Sequence, residues 1–576
     1  MKKATAALAV MLCLAAISGC KKAETQNTPG GGPAPEPANE SCAGGKTTGG
    51  VTSLPAPAGE QPDDGGKLVR RLEAEPPTLN PITGTDVSEQ DINLFIMEGL
   101  LDIDLATGEL KPLLAERWEV ADDKVTFTFH LRHDVTFHDG KPMTAADVIY
   151  SIDRIMDPKV DAAGLRSYFS DCESYKKLDD YTVQIKWKKP YFKALEMVGG
   201  VPIVPRHVLD DGTDFNQHPY GRKPVGTGPY RFVEWDTGQK IVLERYPGYW
   251  GKRPHFERVE FKILTNDDVA LQVLKKGELD FIERVKRVQW LKQTGGKDFT
   301  HRFNKLHYNY PSYSYLGWNM RKPLFSDQRV RQALTMLLNR EAMLKEIFYC
   351  LGHVANGPFY YTTPYADPDI KPFAYDPERA RQLLAEAGWK DTDGDGVLDR
   401  DGAPFRFELS FTADVPEWEQ MAVMYRQDLK KAGIDMVIRK LEWAVFLENV
   451  QRWKFDACAM AWALDANPDP YQLFHGSQAD ISASSNHVGF KNAEVDRLIE
   501  LNRAEFDRDK RIEYCRQIHR IIHDQQPYTF FLTGERLSVL NKRIHNVLTY
   551  PIRPCLMFND WYAPKSLQKY KDLPGP

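Results

Sequence analysis

The sequence predicts a mixed α/β protein with several lobes, on the basis of its length, its composition and two hydrophobic periods. The chain has 576 residues, of which 42% are hydrophobic and 27% are charged, a globular composition. Stretches that alternate with period 2, typical of strands, are followed by stretches with the helical period of 3.6. These patterns extend over about 510 residues, more than a single hydrophobic core serves. We therefore predict an α/β fold that is divided into lobes.

The first predicted elements are a strand, a helix and a hairpin. Residues 125–131 alternate apolar and polar side chains, the pattern of a strand with one buried face. Thr144 and Asp147 have the spacing of a capping box, and a helical stripe of apolar residues follows them. Residues 230–246 form two strand-like runs around an Asp-Thr-Gly turn, which predicts a hairpin.

The second half of the chain repeats this alternation. One helix is predicted after Asp327, a residue type that suits an N-cap, and another at 421–431, ended by Gly433. Strands are predicted at 405–411 and, as a short apolar run fit for a buried strand, at 455–462. Strands that alternate with helices are typical of α/β architecture.

The first 66 residues predict a leader and a tether. Residues 1–19 combine a basic start with a 12-residue apolar run, which has the length of a signal peptide and is too short to span a bilayer. Cys20 follows a small residue, as in the lipobox of bacterial lipoproteins. We predict that its thiol carries a lipid that holds the protein at a membrane, the alternative being an ordinary secretory leader. Residues 20–66 are rich in Gly and Pro and poor in apolar residues, which predicts a disordered tether.

Charge and cysteine content exclude several classes of protein. The net charge is −5 at pH 7 with basic residues spread along the chain, so nothing indicates nucleic-acid binding. No apolar stretch reaches the roughly 20 residues that a transmembrane helix needs. The cysteines of the body have no CxxC spacing and therefore no zinc signal, and one disulfide among them is compatible with an exported protein. These cysteines are Cys172, Cys350, Cys458, Cys515 and Cys555.

A series of motifs in a fixed order resembles a known family. The motifs are LNP at 79–81, MEGLL at 97–101, LLAERW at 113–118, FHDGKP at 137–142, TAADV at 144–148, GTGPY at 226–230, LER at 243–245, YW at 249–250 and DQRVRQAL at 327–334. Together they resemble the family 5 extracellular solute-binding proteins, the oligopeptide- and dipeptide-binding components of ABC importers. The resemblance extends from about residue 67 to the C-terminus, and no single motif carries it alone.

The resemblance implies a three-lobed, periplasmic-binding-protein-like fold (type II, cluster C-like) with a discontinuous lobe I. Lobe II would be 102–222 and lobe III 306–540, and residues 541–551 would form the last return strand. Lobes I and III would close on a ligand by a hinge motion. The segments of lobe I would be 67–101, 223–305 and 541–576.

The resemblance also implies a ligand site. In WALDANPDP at 462–470, Trp462 and Asp465 match the tryptophan and the aspartate that lie beside a peptide's α-ammonium in the family. A cleft that closes removes water from this charge, and an unpaired buried charge is costly. The alternative is that Asp465 is a turn residue. Thr85 and Val87 match a lobe I segment beside the cleft, which would bond to a peptide backbone as an added strand or be an ordinary surface loop.

One acidic motif imitates a calcium loop. Asp391, Asp393 and Asp395 have the spacing of its first ligands. The twelfth position, where a bidentate Glu is needed, is Gly402. We therefore predict an ordinary connector between helix and strand, with a metal site as the alternative.

Two further sets of residues have both a structural and a functional interpretation. His519 and His523 are spaced to share one helix face, but they flank an apolar stripe and no accompanying carboxylate–histidine signature supports a metal site, so we predict a structural role. Four tyrosines alternate along one predicted stretch, and we expect them either to line a pocket for ligand side chains or to face a core. These are Tyr308, Tyr310, Tyr313 and Tyr315.

The sequence and the resemblance together predict a monomeric lipoprotein receptor that captures peptides in the periplasm, outside the inner membrane, and delivers them to the permease of an ABC transporter. We expect no cofactor and no catalytic activity, because the sequence has no GxSxG, no HExxH, no SxxK followed by a KTG and no GxGxxG after a strand. Within the family, the alternative ligands are a nickel chelate, haem, an opine-like compound or an oligosaccharide. Outside it, the alternatives are an exported peptidase or a chaperone-like holdase.

Overall fold

The computed structural model describes residues 52–569. Its strands form one 11-stranded sheet, a four-stranded sheet and two two-stranded sheets. The strands are β1 Lys67–Leu72, β2 Leu101–Ile103, β3 Leu110–Pro112, β4 Ala115–Val120, β5 Thr126–Leu131, β6 Cys172–Asp179, β7 Thr182–Trp187, β8 Tyr230–Asp236, β9 Lys240–Arg245, β10 Arg258–Ile263, β11 Phe281–Ile282, β12 Phe303–Trp318, β13 His353–Val354, β14 Asp399–Arg400, β15 Ala403–Pro404, β16 Arg406–Thr412, β17 Asp435–Leu441, β18 Ala457–Ala463 and β19 Tyr528–Asn541.

Helices lie between the strands along the whole described chain, which confirms the α/β prediction. They are α1 Val87–Ile96, α2 Ala145–Met156, α3 Ala163–Tyr168, α4 Phe192–Gly199, α5 Arg206–Leu209, α6 Asp267–Lys276, α7 Arg287–Lys292, α8 Lys297–Arg302, α9 Pro323–Ser326, α10 Gln328–Met336, α11 Arg340–Glu346, α12 Pro377–Glu386, α13 Pro416–Lys431, α14 Trp443–Gln451, α15 Tyr471–Phe474, α16 Ala493–Ala504 and α17 Arg508–Gln525.

The elements predicted from local patterns are confirmed. The hairpin is formed by β8 and β9, and the predicted strands correspond to β5, β16 and β18. Thr144 and Asp147 make the predicted capping box at the start of α2, and Asp327 caps α10. The helix predicted at 421–431 begins earlier, at Pro416, because proline is well suited to the first turn of a helix.

Two long antiparallel strands, β12 and β19, join the two halves of the large sheet. Strands β18, β16 and β17 extend the sheet on one side, and β11, β1, β10, β9 and β8 extend it on the other. The pairing of β12 with β19 is irregular between Tyr310 and Tyr315, next to Pro311, which has no N–H to donate to the ladder. The two halves therefore meet at an interrupted stretch of the sheet.

The apolar cores show that the chain passes from one half of the large sheet to the other at this irregular stretch. Leu306 and Tyr308 pack into a core with β1 and β10, whereas Leu316 and Trp318 pack with the helices that cover β16. The border predicted at 305/306 therefore lies several residues too early in the chain. The same core that holds Leu306 also contains the buried face of the four-stranded sheet β4–β5–β7–β6, so predicted lobes I and II are packed together.

Two predictions about the ends of the chain are wrong in part. The tether was expected to reach residue 66, but Leu54 and Val547 exchange two backbone hydrogen bonds of 2.8 Å, and Glu60 lies 2.8 Å from His545. Backbone pairing, a polar contact and the packing of Leu54 against a core thus order a segment that is poor in apolar residues. Residues 541–551 form isolated bridges instead of a return strand, because β19 already completes the crossing at Asn541.

The five body cysteines, among which the sequence allows one disulfide, are not bonded to one another. Cys350 is disulfide-bonded, while Cys172, Cys458, Cys515 and Cys555 are free thiols. Cys458 and Cys515 are buried in a core on the β18 side of the sheet, and Cys555 is buried in the core around β1. Burial in apolar surroundings accounts for these reduced cysteines.

Several predictions concern residues outside the described part of the chain. These are the leader 1–19, the lipidated Cys20 and the tether up to residue 51. Between residues 52 and 569, the helices are all too short or too polar to cross a bilayer.

Candidate ligand-binding site

Trp462 lies near the end of strand β18, and Asp465 lies in the loop that follows it. The strand is almost entirely buried between β12 and β16, as its apolar sequence requires. Trp462 is 8% exposed, and its ring is parallel to that of Tyr315 at a centroid distance of 6.3 Å. Asp465 follows the end of the strand, after Leu464 has bonded to the Pro311 carbonyl at 2.9 Å. The predicted pair of site residues therefore lies beside the irregular stretch of β12.

The Asp465 carboxylate is held by two cations from distant parts of the chain. Lys193 on α4 places its Nζ 2.8 Å from Oδ2, and Arg553 places Nη2 3.2 Å from Oδ1. Arg553 also donates from Nε to the Leu464 carbonyl at 3.1 Å. These residues belong to predicted lobes II, III and I, so three lobes meet at one carboxylate.

Electrostatics keep this carboxylate ionised. The Lys193 ammonium, followed by the Arg553 guanidinium, lowers the pKa of Asp465 below its usual value. The Asp465 side chain is still 54% exposed. An ionised carboxylate has about four lone-pair sites, and the two cations occupy two of them. Asp465 can therefore accept from a further donor on its exposed side.

Lys193 is the most deeply buried charge of the site. Its side chain is 7% exposed, and Glu196 lies 3.8 Å away, one turn along α4. Burial favours the neutral amine, but Asp465 and Glu196 together raise the pKa of Lys193 well above its usual value. The site therefore contains a charged ammonium that depends on its two acidic neighbours.

Asn467 extends the contact between α4 and the loop after β18. Its Nδ2 donates to the Gly108 carbonyl and to Glu196 Oε2, both at 3.2 Å, and its Oδ1 accepts from the Tyr365 hydroxyl at 3.0 Å. The side chain joins parts of the chain that are more than 250 residues apart. No local sequence pattern indicated these partners.

Asp469 makes a second contact of the same kind. It accepts a hydrogen bond from the Tyr191 hydroxyl at 2.8 Å and lies 3.2 Å from Arg503. Predicted lobes II and III are thus joined by a row of polar bonds along the 465–469 loop. This is an arrangement in which the lobes are closed on each other.

A small cavity of about 30 Å³ lies beside Asp465. It has room for about one or two water molecules and is far smaller than the roughly 300–1,000 Å³ of small-molecule sites. Asp465 is the one charged residue of its lining, which is otherwise mainly proline, aromatic and aliphatic. The lining residues are Pro311, Pro358, Phe359, Tyr360, Thr363, Tyr365, Leu464, Asp465, Ala466, Pro468, Pro551 and Ile552.

The lobe I segment predicted to contact a peptide backbone is the start of a helix. Thr85 is exposed and Val87 is the first residue of α1. Between them Asp86 caps the helix and accepts from the Ser88 amide at 2.7 Å. This local role explains the sequence of the segment, and strand addition at Thr85 and Val87 stays a prediction.

The tyrosine row of β12 is divided by the irregular stretch. Tyr308, Tyr313 and Tyr315 are at most 4% exposed and belong to the cores. Tyr310 is half-buried, and its ring is covered by the Arg536 guanidinium at 3.8 Å. Only the position beside Pro311 therefore retains the exposure that a pocket residue needs.

The two metal-like patterns have structural partners. His519 and His523 lie on α17, and both rings approach the Asn356 carbonyl, at 3.3 and 3.0 Å. Burial lowers the pKa of His519 to about 4. The calcium-like run is an exposed connector whose carboxylates lie within 4.8 Å of one another and accept from backbone amides of the loop. Its residues are Asp391, Asp393 and Asp395.

Comparison with known proteins identifies the family. The model of the bacterial extracellular solute-binding proteins, family 5 Middle, matches residues 109–482, more than half of the chain. The chain belongs to this family. Its α/β, multi-lobed fold is that of the periplasmic binding proteins, as the motif series predicted, and the family is one of solute-binding proteins.

Individual relatives cover nearly the whole chain. The oligopeptide-binding protein AppA of Bacillus subtilis is 33% identical over 541 residues, which cover 91% of this chain and 96% of AppA. The solved structure of AppA in complex with a nonapeptide superimposes with a TM-score of 0.71 at 32% identity, covering 88% of this chain and 100% of that one. Heme-binding protein A of Haemophilus influenzae is 26% identical over 489 residues, covering 78% and 84% of the two chains.

Proposed function

We propose that this protein is the substrate-binding lipoprotein of an ABC importer, anchored through Cys20 in the periplasm, and that its ligands are peptides. It captures them outside the inner membrane, acts as a monomer and delivers them to the permease without chemical change. The similarity to AppA, which was solved with a nonapeptide, supports peptides over the haem of the more distant relative.

The observation that carries the proposal is the half-exposed carboxylate of Asp465, the one charged residue in the lining of a small, mainly apolar cavity. A peptide brings an α-ammonium and apolar side chains. The apolar residues that line the cavity offer surface for the side chains when the lobes part to admit a ligand, and Asp465 has lone pairs left for the ammonium. The carboxylate also touches the side chains of Lys193 and Arg553, so a ligand that binds there contacts all three predicted lobes and favours their closed arrangement.

The proposal is tested by a four-way calorimetric titration. The ligand is the tightest binder from a library of synthetic peptides of two to nine residues, used with a free and with an acetylated N-terminus. Asp465→Asn keeps the shape and removes the charge. Loss of one partner of a buried charge pair costs about 2–5 kcal/mol, so affinity for the free peptide is expected to fall roughly 30-fold to several thousand-fold.

Acetylation is expected to weaken binding to the wild type by a similar factor, and the acetylated peptide then loses little more in the variant. Asp469→Asn is the matched control, because Asp469 lies on the same loop and is absent from the cavity lining. If the affinity losses caused by the mutation and by acetylation simply add, Asp465 does not contact the α-ammonium and is a turn residue. A wild type that binds no peptide would contradict peptide binding and favour a non-peptide ligand.

A further inference from the structure

A second cavity, of about 400 Å³, lies in predicted lobe II. This volume falls within the range of about 300–1,000 Å³ for small-molecule sites, whereas the cavity beside Asp465 has about 30 Å³. The two cavities share no lining residue. The larger one is therefore separate from the proposed peptide site.

Helix α2 forms the floor of the lobe II cavity. Four lining residues of α2 have the spacing i, i+3, i+4 and i+7, which places them on one face of the helix. The opposite face packs into a core through Val148, Ile152 and Ile155. The floor offers a methyl group, a branched aliphatic side chain and an aromatic ring to a ligand, because the four residues are Ala146, Ile149, Tyr150 and Asp153.

The lining of this cavity has one more positive than negative charge. Burial raises the pKa of Tyr150 to about 12, and the nearby charges of Arg154 and Asp210 act on it in opposite directions. The phenol is thus a neutral hydroxyl that lies among charged groups from several elements. The cations of the lining are Arg154 of α2, Lys177 of β6 and Arg206 of α5, and its carboxylates are Asp153 and Asp210.

Both carboxylates of the lining already have a donor from the protein. Asp153 accepts a hydrogen bond from the Tyr175 hydroxyl at 2.7 Å. Asp210 accepts one from Nε of Arg206 at 3.0 Å. The acceptors of the cavity are therefore partly satisfied without a ligand.

Arg154 is the lining residue whose donors are left over. Its Nη1 lies 3.6 Å from Oδ2 of Asp157, which is longer than an N–H···O hydrogen bond. Its Nε is buried without a hydrogen-bond partner, and its guanidinium carbon lies 5.3 Å from the centre of the Tyr150 ring. Within residues 52–569, the side chain of Arg154 thus has a distant carboxylate and a ring beside it, and an unused set of N–H groups.

These leftover donors indicate the chemistry of a ligand. A planar guanidinium matches a carboxylate in two parallel hydrogen bonds. The two carboxylates of the lining repel a group with a second negative charge, and the floor favours a ligand with an apolar body. We propose that the lobe II cavity binds a small monocarboxylate with an apolar body, and that Arg154 binds its carboxylate. The proposal is independent of peptide binding at Asp465.

The first part of the test uses the wild type alone. Phenylacetate is the probe, because it joins one carboxylate to one ring. Saturation-transfer NMR titrations compare it with phenylacetamide, which keeps the shape and removes the charge. We expect saturable binding of phenylacetate and binding of phenylacetamide that is roughly 10- to 150-fold weaker, because a hydrogen bond to a charged group is worth about 1.5–3 kcal/mol.

Variants then assign the probe to the lobe II cavity. Arg154→Gln is expected to weaken phenylacetate by the same factor and to leave phenylacetamide unchanged, and Arg154→Lys is expected to recover part of the loss. Arg132→Gln is the matched control, because Arg132 belongs to the same predicted lobe, is stacked on Trp250 at 4.3 Å and does not line the cavity. Asp465→Asn is expected to bind phenylacetate as the wild type does.

Three results would overturn the proposal. The first is a wild type that shows no saturable binding of phenylacetate, or binds phenylacetamide equally well. The second is an Arg154→Gln variant that binds phenylacetate like the wild type, which is what a cation that only complements the C-terminal end of a helix produces. The third is a loss of phenylacetate binding in Asp465→Asn, which would place the probe in the cavity beside Asp465. None of these results bears on whether peptides bind.

Discussion

Replacing Lys193 by Met tests whether the contact among three predicted lobes stabilises the protein. The change removes the ammonium and keeps most of the apolar stem. Asp465 retains Arg553 at 3.2 Å and access to water, and Glu196 retains Asn467 at 3.2 Å. Breaking a fully buried pair costs about 3–5 kcal/mol, whereas exposed pairs contribute about 0.2–1 kcal/mol. Because one partner is buried and the other is half-exposed, we expect a loss of roughly 1–3 kcal/mol.

The assay is urea unfolding of four ligand-free proteins, the wild type, Lys193→Met, Asp465→Asn and the double variant. Directly bonded residues are expected to show a coupling free energy of about 1–2 kcal/mol, whereas independent sites add to within about 0.3–0.5 kcal/mol. Lys440→Met is the control, because Lys440 pairs with Glu419 at 2.9 Å and both of these side chains are about half-exposed, so neither partner is buried. Additive effects at Lys193 and Asp465 would refute the closed arrangement as the dominant one in solution.

Two further predictions concern the anchor and the pH dependence of stability. Cys20→Ser is expected to leave a folded protein in the soluble fraction, and a variant that still sediments with membranes after a salt wash contradicts the lipid anchor. Burial raises the pKa of Glu89 from 4.5 to about 8, so the folded state holds a proton that the unfolded chain releases above pH 4.5. Stability from this group therefore falls as the pH rises from about 4.5 to 8. Urea unfolding at pH 5 and at pH 8 measures this effect. The free energy of unfolding is expected to drop less between these two pH values in Glu89→Gln than in the wild type, and an equal drop contradicts the role of Glu89.

Local patterns predicted the elements of the fold well. The capping box at Thr144 and the N-cap at Asp327 depend on residues within one turn, so the sequence contains all the information they need. Local patterns did not show which strand crosses between the two halves of the large sheet. Residues 541–551 are preceded by the long strand β19, in which the polar residues Gly534 to Arg536 separate two apolar stretches. Only the pairing with β12 shows that β19 is the strand that crosses between the halves.

The candidate site could be predicted only in part, for the same reason. Trp462 and Asp465 lie on one motif after one buried strand, and the family resemblance drew attention to them. Lys193 and Arg553 are separated from Asp465 by 272 and 88 residues, and neither has a local signal.

The central claim is that the protein binds intact peptides, and native mass spectrometry tests it most directly. The purified protein is incubated with the library of synthetic peptides of two to nine residues, and the bound species is released and identified. The account predicts a complex of one protein with one peptide, and a peptide that is recovered uncleaved. A protein that retains no peptide, releases fragments, or carries haem or a metal chelate instead would contradict it.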